Sequence, residues 1–262
     1  MNGLAPIVSW PVMLAAARER IKTPLLIGLV LVMLIIALGA AGPNADGSEG
    51  FAAIAGFLLL IFTMMLGAGL IDEEFAAGHA QLVLLRPLTR AQWFGGRLAG
   101  AGSVLAAAMT LVWLSTTANA VSKGAHFDLA RVLALPVAFV WAFAWLAVLA
   151  ALSVVLKAWT NIAWLLFATI LWWASKLAIN GINAVMVAKD KSTDHFSQTV
   201  VGFIGTIEPY VCPQDPLQII HTLHNGGRPD WSPLAYDLVW LFGAWTVGCV
   251  LLNRRELSRR TT

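Results

Sequence analysis

The run Pro24-Leu-Leu-Ile-Gly-Leu-Val-Leu-Val-Met-Leu-Ile-Ile-Ala-Leu-Gly-Ala-Ala41 contains no charged or hydrogen-bonding side chain. As a helix its eighteen residues would reach about 27 Å, close to the hydrocarbon thickness of a bilayer. Only a helix satisfies its own backbone groups in lipid. The run therefore reads as a membrane span. No small-residue cleavage site follows it, which predicts a retained anchor rather than a secretory signal. Five further runs fit the same template: Phe51 to Ile71, Leu98 to Val121, Val132 to Leu156, Ile162 to Val187, and Leu234 to Leu252.

Composition agrees. Of 262 residues 59% are apolar and 12% charged, and the mean hydropathy is +0.76. Soluble domains carry roughly 25% charged residues, because their surface faces water. Two cysteines, Cys212 and Cys249, make no disulfide framework. The net charge of +3 is small, and the arginines stand at the edges of apolar runs, a mark of membrane topology rather than of nucleic-acid binding. The expected fold is thus an all-α integral membrane protein of about six transmembrane helices, a single domain over residues 1–262.

Basic residues orient it. Arg18, Arg20, Lys22, Arg86, Arg90, Arg97, Lys157, Arg254, Arg255, Arg259 and Arg260 fall on the side of the termini, eleven in all. Lys123, Arg131, Lys189, Lys191 and Arg228 fall on the other side, five in all, and Lys176 lies in a span. The positive-inside rule places both termini in the cytoplasm of the inner (plasma) membrane.

Three stretches outside the spans are organised. In residues 6–23, Ile7, Trp10, Leu14, Ala17 and Ile21 recur at helical spacing, which predicts an amphipathic helix at the membrane surface. Residues 72–97 open with Asp72, Glu73 and Glu74, acids where a helix N-terminus prefers them. Gly78 breaks that turn, and a short apolar helix should end before Pro87. Thr89 and Gln92 form a T-x-x-Q capping box that restarts the helix of span three. The expected product is a cytoplasmic helix–break–helix hairpin. Residues 188–233 form a long external connection with a half-apolar segment, Phe196 to Ile207, and a short helix from Leu217 to Leu223. Its apolar content fits a partly re-entrant path.

The order Glu74, Gly78, Pro87, Arg90, Gly96, Arg97 resembles the E-x-x-x-G … P-x-x-R … G-basic pattern of ABC-2 type transporter permeases. The departures are His79, Gln81 and Arg97, where that family usually has Thr, an acid and Lys. The resemblance extends to the whole layout: amphipathic first helix, six spans, enlarged last external connection. It implies a half-transporter, one permease subunit paired with a second copy or a relative. Each subunit would bind a cytoplasmic ATPase through Glu73, Glu74, Gly78, His79, Pro87, Arg90 and Arg97. The chain has no G-x-x-x-x-G-K-[ST] phosphate loop, so ATP and Mg would act on the partner, with no cofactor, catalytic residue or metal site here. Gly96-x-x-x-Gly100 reads as close helix packing instead.

Other readings of these residues stay open. Glu73 and Glu74 fit either subunit coupling or an internal salt bridge to Arg90 or Arg97. Lys176, Asn180 and Asn183 share one face of span five, which suits a substrate route or a lysine snorkelling to the interface. Ser103, Thr110 and Thr117 repeat every seven residues and suggest interhelical packing. His221 and His224 share a face, but no third and fourth ligand is fixed by spacing. The function expected is that of an exporter permease. An importer is disfavoured because the connection near Lys157 to Asn161 is too short for a late docking loop. The alternative is a membrane-embedded assembly or maturation factor acting through the external segment. On the coupling reading Glu74 is a surface charge, and Glu74→Lys should leave the fold intact.

Overall fold

A computed structural model of the chain describes residues 8–39, 58–78, 88–124, 126–164, 166–167, 199, 213 and 217–259. Among these residues all regular structure is helical. The labelled helices are α1 (Trp10–Ile21), α2 (Pro24–Gly39), α3 (Asp72–Ala76), α4 (Arg90–Ser122), α5 (Leu129–Leu152), α6 (Leu217–His224) and α7 (Ser232–Arg259). Two further helical stretches cover residues 58–67 and 158–164.

Three described helices are long and apolar enough to cross a membrane: Arg90–Ser122, Leu129–Leu152 and Ser232–Arg254. A fourth is added if α1 and α2, bent by 72° between Ile21 and Pro24, count as one broken span. The bend has a local cause. Pro24 cannot donate to α1, and its ring disfavours helical backbone at Thr23, so one helix stops and a second starts. Most of span five, the start of span two and the loop at 42–50 lie outside the described residues, as does most of the external segment 188–233.

The three faces of α1 are distinct. Ser9, Ala16 and Arg20 are buried, with Val12 and Met13 half-buried beside them. Trp10, Leu14 and Ile21 stand exposed in the stripe expected to meet lipid. Arg18 and Lys22 are exposed on the third face. The buried face lies on α4, where glycines allow contact between backbones. A Cβ on Gly100 would stand 2.5 Å from the Met13 carbonyl oxygen, and one on Gly96 would stand 2.9 Å from Val12 Cβ. The Gly96/Gly100 pair thus packs helix against helix, as its spacing implies.

Helix α4 is one continuous rod from the Thr89 cap. Thr89 Oγ1 accepts from Gln92 N at 3.2 Å, and Gln92 Oε1 accepts from Thr89 N at 3.0 Å, which completes the expected capping box. Ser103 and Thr110 bond within their own helix. Their hydroxyls donate to Gly100 O and Ala106 O of α4 itself, each at 2.7 Å. The packing face of α4 runs instead through Ala101, Leu105, Ala108 and Val112.

Helix α5 is the centre of the bundle. Asp128 caps it, accepting from Arg131 N at 2.9 Å, and its buried residues include Ala134, Ala138, Ala142, Ala147 and Ala151. Helix α7 lies along α5 and touches α4 where Gly248 admits the Phe94 ring. An apolar hollow of about 540 Å³ lies between α5 and α7, lined by Val148, Ala151, Trp164, Val239 and Ala244 among others.

Candidate coupling site

Of the sequence-predicted coupling residues, Glu73, Glu74 and Arg97 converge where α1, α3 and α4 meet. Helix α3 is short, and three acids fill its first turn. It ends at Gly78, whose φ of 74° lies in the left-handed region that glycine occupies without strain. Phe75 fastens α3 to α4, its ring edge-on to Trp93 at 6.1 Å between centroids. That contact turns Glu74 inward, and Glu73 one residue earlier stays exposed.

Arg97 is the hub. Its Nη1 donates to Glu19 Oε2 at 2.8 Å and its Nη2 to Glu74 Oε1 at 2.5 Å. A longer contact of 3.5 Å reaches the Leu70 carbonyl. Arg97 retains only 5% of its exposure and Glu74 8%, so both charges are removed from water. Beside them Arg20 Nη2 donates to Glu73 Oε2 at 3.0 Å. Helix α1 therefore contributes one acid and one base, α3 two acids and α4 one base. Pairing accounts for the burial, since an uncompensated charge at that depth would cost several kcal/mol.

Of the two arginines open as partners for Glu74, Arg97 takes the role. Arg90 also reaches another part of the fold, donating to Asn253 Oδ1 of α7 at 2.8 Å. The expectation that Glu74 is a surface charge fails, because Glu74 is buried and paired with Arg97. His79 and Pro87 lie outside the described residues, as do Lys176, Asn180, Asn183 and Cys212. His221 is exposed, its Nδ1 3.2 Å from Asn225 Nδ2.

The sequence reading missed Glu19 and Arg20 as members of this cluster. Their signal was present as the charged group Arg18-Glu19-Arg20 at the end of an otherwise apolar helix. What it lacked was a partner, which only the fold supplies, 78 residues away for Glu19 and 53 for Arg20.

Chemically the cluster is a fastening. The carboxylates of Glu19, Glu73 and Glu74 each meet a guanidinium. No family model matches the chain, and no curated protein matches it.

Proposed function

We propose that this chain is the membrane subunit of an ATP-driven transporter of the ABC-2 permease kind. In this reading six helices span the membrane and both termini are cytoplasmic. A separate ATPase subunit, carrying ATP and Mg, docks on the hairpin of residues 72–97, and a second permease subunit completes the pathway. Export is the direction favoured by the position of the hairpin after span two.

The observation that supports this most is the Glu74–Arg97 ion pair. The two residues bound the motif on which the resemblance rests, and their pairing closes the intervening chain into a loop held at its base. A force applied to such a loop is delivered to α3 and α4 together. Glu19 extends the same joint to α1.

The test is biochemical. The purified chain is expected to hydrolyse no ATP by itself, and hydrolysis should appear when a separate ATPase subunit co-purifies with it. Robust hydrolysis by the rigorously purified chain alone would refute the reading.

A further inference from the structure

Between the helical stretch 58–67 and α3 the backbone breaks into a turn at residues 68–71. A break buried among apolar helices must find partners for its peptide groups. Ala68, Leu70 and Ile71 are all nearly or fully buried. Ala68 N and Leu70 N bond to the backbone oxygens of Met64 and Gly67, and Ala68 O, Leu70 O and Ile71 N meet polar side chains from three other parts of the chain. Asn161 Nδ2 donates to Ala68 O at 3.1 Å and to Leu149 O at 3.0 Å. Ser153 Oγ accepts from Ile71 N at 3.2 Å and donates to Ala150 O at 2.8 Å. Arg97 Nη2 reaches Leu70 O at 3.5 Å.

Asn161 and Ser153 have no exposed surface. Both groups near Asn161 Nδ2 are carbonyl oxygens, so the amide orientation is fixed by its neighbours. The consequence is that Asn161 Oδ1 is buried with no hydrogen-bond partner. Buried amides seldom leave an acceptor unused. Here two donations to two different segments outweigh it. Close contact supports the same joint, since a Cβ on Gly67 would stand 2.8 Å from Leu149 Cβ.

We propose that Ser153 and Asn161 are a latch that makes the turn at 68–71 a driven hinge, so that displacement of α3 is handed to α5 and to the helix at 158–164. Asn161 is a positioning residue that acts by holding Ala68 to Leu149. The latch rests on the coupling reading for its purpose but not for its existence.

The experiment uses the full chain in phosphatidylcholine/phosphatidylglycerol nanodiscs, with Cys212→Ser and Cys249→Ser as background. Spin labels are placed on cysteines substituted at Ala76 and Trp159, both exposed. A second pair is placed at Trp159 and Val121. Without nucleotide the first pair is expected to give one narrow distance, which Asn161→Ala should broaden at least two-fold. Ser153→Ala, a smaller change, should broaden it less and serves if Asn161→Ala fails to fold.

With a co-purified ATPase subunit, adding ATP should shift the second pair in the background protein, and Asn161→Ala should abolish the shift while hydrolysis continues. An unchanged first-pair distribution in both variants would overturn the latch. A normal ATP-driven shift in a variant with a broadened first pair would overturn its role in transmission. If no ATPase binds the background protein, the coupling reading fails, and the nucleotide-free arm still decides whether the latch holds the hinge.

Discussion

Helices α4 and α7 both pass for membrane spans by length and hydropathy, yet they sit in the fold in opposite ways. Half of the most apolar window of α4 is buried inside the bundle, against 17% for α7 among the described residues. On α4 the glycines are occupied: Gly96 and Gly100 by α1, Gly102 by the Phe143 ring. On α7 Gly248 is filled by the Phe94 ring, but a Cβ on Gly243 would meet nothing within 4 Å, and Val239 and Phe242 stand mostly exposed. The charged cluster belongs to the first kind of environment. In lipid, where apolarity drives no helix together, small residues and paired polar groups mark the buried faces. Helix α2 makes the same point, since it has no polar side chain yet exposes Leu25, Leu31 and Ile35.

The contrast can be broken most severely at Glu74. Glu74→Lys would bury a second cation against Arg97, and losing one partner of a buried pair costs about 3–5 kcal/mol. The expected outcome is loss of monodisperse protein in detergent, which size-exclusion chromatography reads directly. Glu73→Lys puts the new cation at an exposed position but takes the carboxylate from buried Arg20, so a smaller loss with the fold retained is expected; equal damage from both would remove the distinction between inward and outward acids.

A smaller effect is expected from glycine replacements. Gly100→Ala places a methyl against the α1 backbone, an overpacking that costs about 1–3 kcal/mol. Gly243→Ala has open space and a helical backbone, so it should be neutral or stabilise by up to about 1 kcal/mol. Thermal unfolding in one detergent, followed by tryptophan fluorescence, compares the two. Equal melting temperatures would erase the difference between the helices.

The sequence made these differences legible only where the information is local. Thr89 and Gln92 are three residues apart, so their capping box could be read directly, and the same holds for the break at Gly78. The Gly96/Gly100 spacing announced a close contact but not that α1 provides it. Glu74 with Arg97 stood among the readable alternatives because both lie in one connection. Glu19, Arg20, Ser153 and Asn161 were not readable as a site, because their partners are brought close only by folding. Span counting, too, follows local apolarity: six runs qualify by composition, and three or four described helices qualify in space.

The smallest expected effect lies at the start of α7. Asp230 accepts from the Ser232 backbone N–H at 2.9 Å and from its hydroxyl at 2.7 Å, and these bonds, the backbone one foremost, hold its carboxyl below the usual aspartate range. A lowered folded value means that the bonds favour the folded state above the unfolded aspartate pKa, about 3.9. That contribution fades as pH falls through that value towards the lowered one. Ser232→Ala removes one of the two donors, and carboxyl titration by NMR should then show the Asp230 value moving part of the way back. No movement would mean that the hydroxyl contributes nothing.

Arg97 divides its guanidinium between Glu19 and Glu74, and this makes three positions a single unit of inheritance. A change of charge at residue 97 strands two acids at once, one of them far outside the motif that contains it. Losing the base would leave the buried Glu74 carboxylate unpaired, whereas Glu19, half exposed, could be exchanged while Glu74 still holds the arginine. The reach of the motif is thus longer than its own stretch of sequence: its last letter is constrained by the chain's nineteenth.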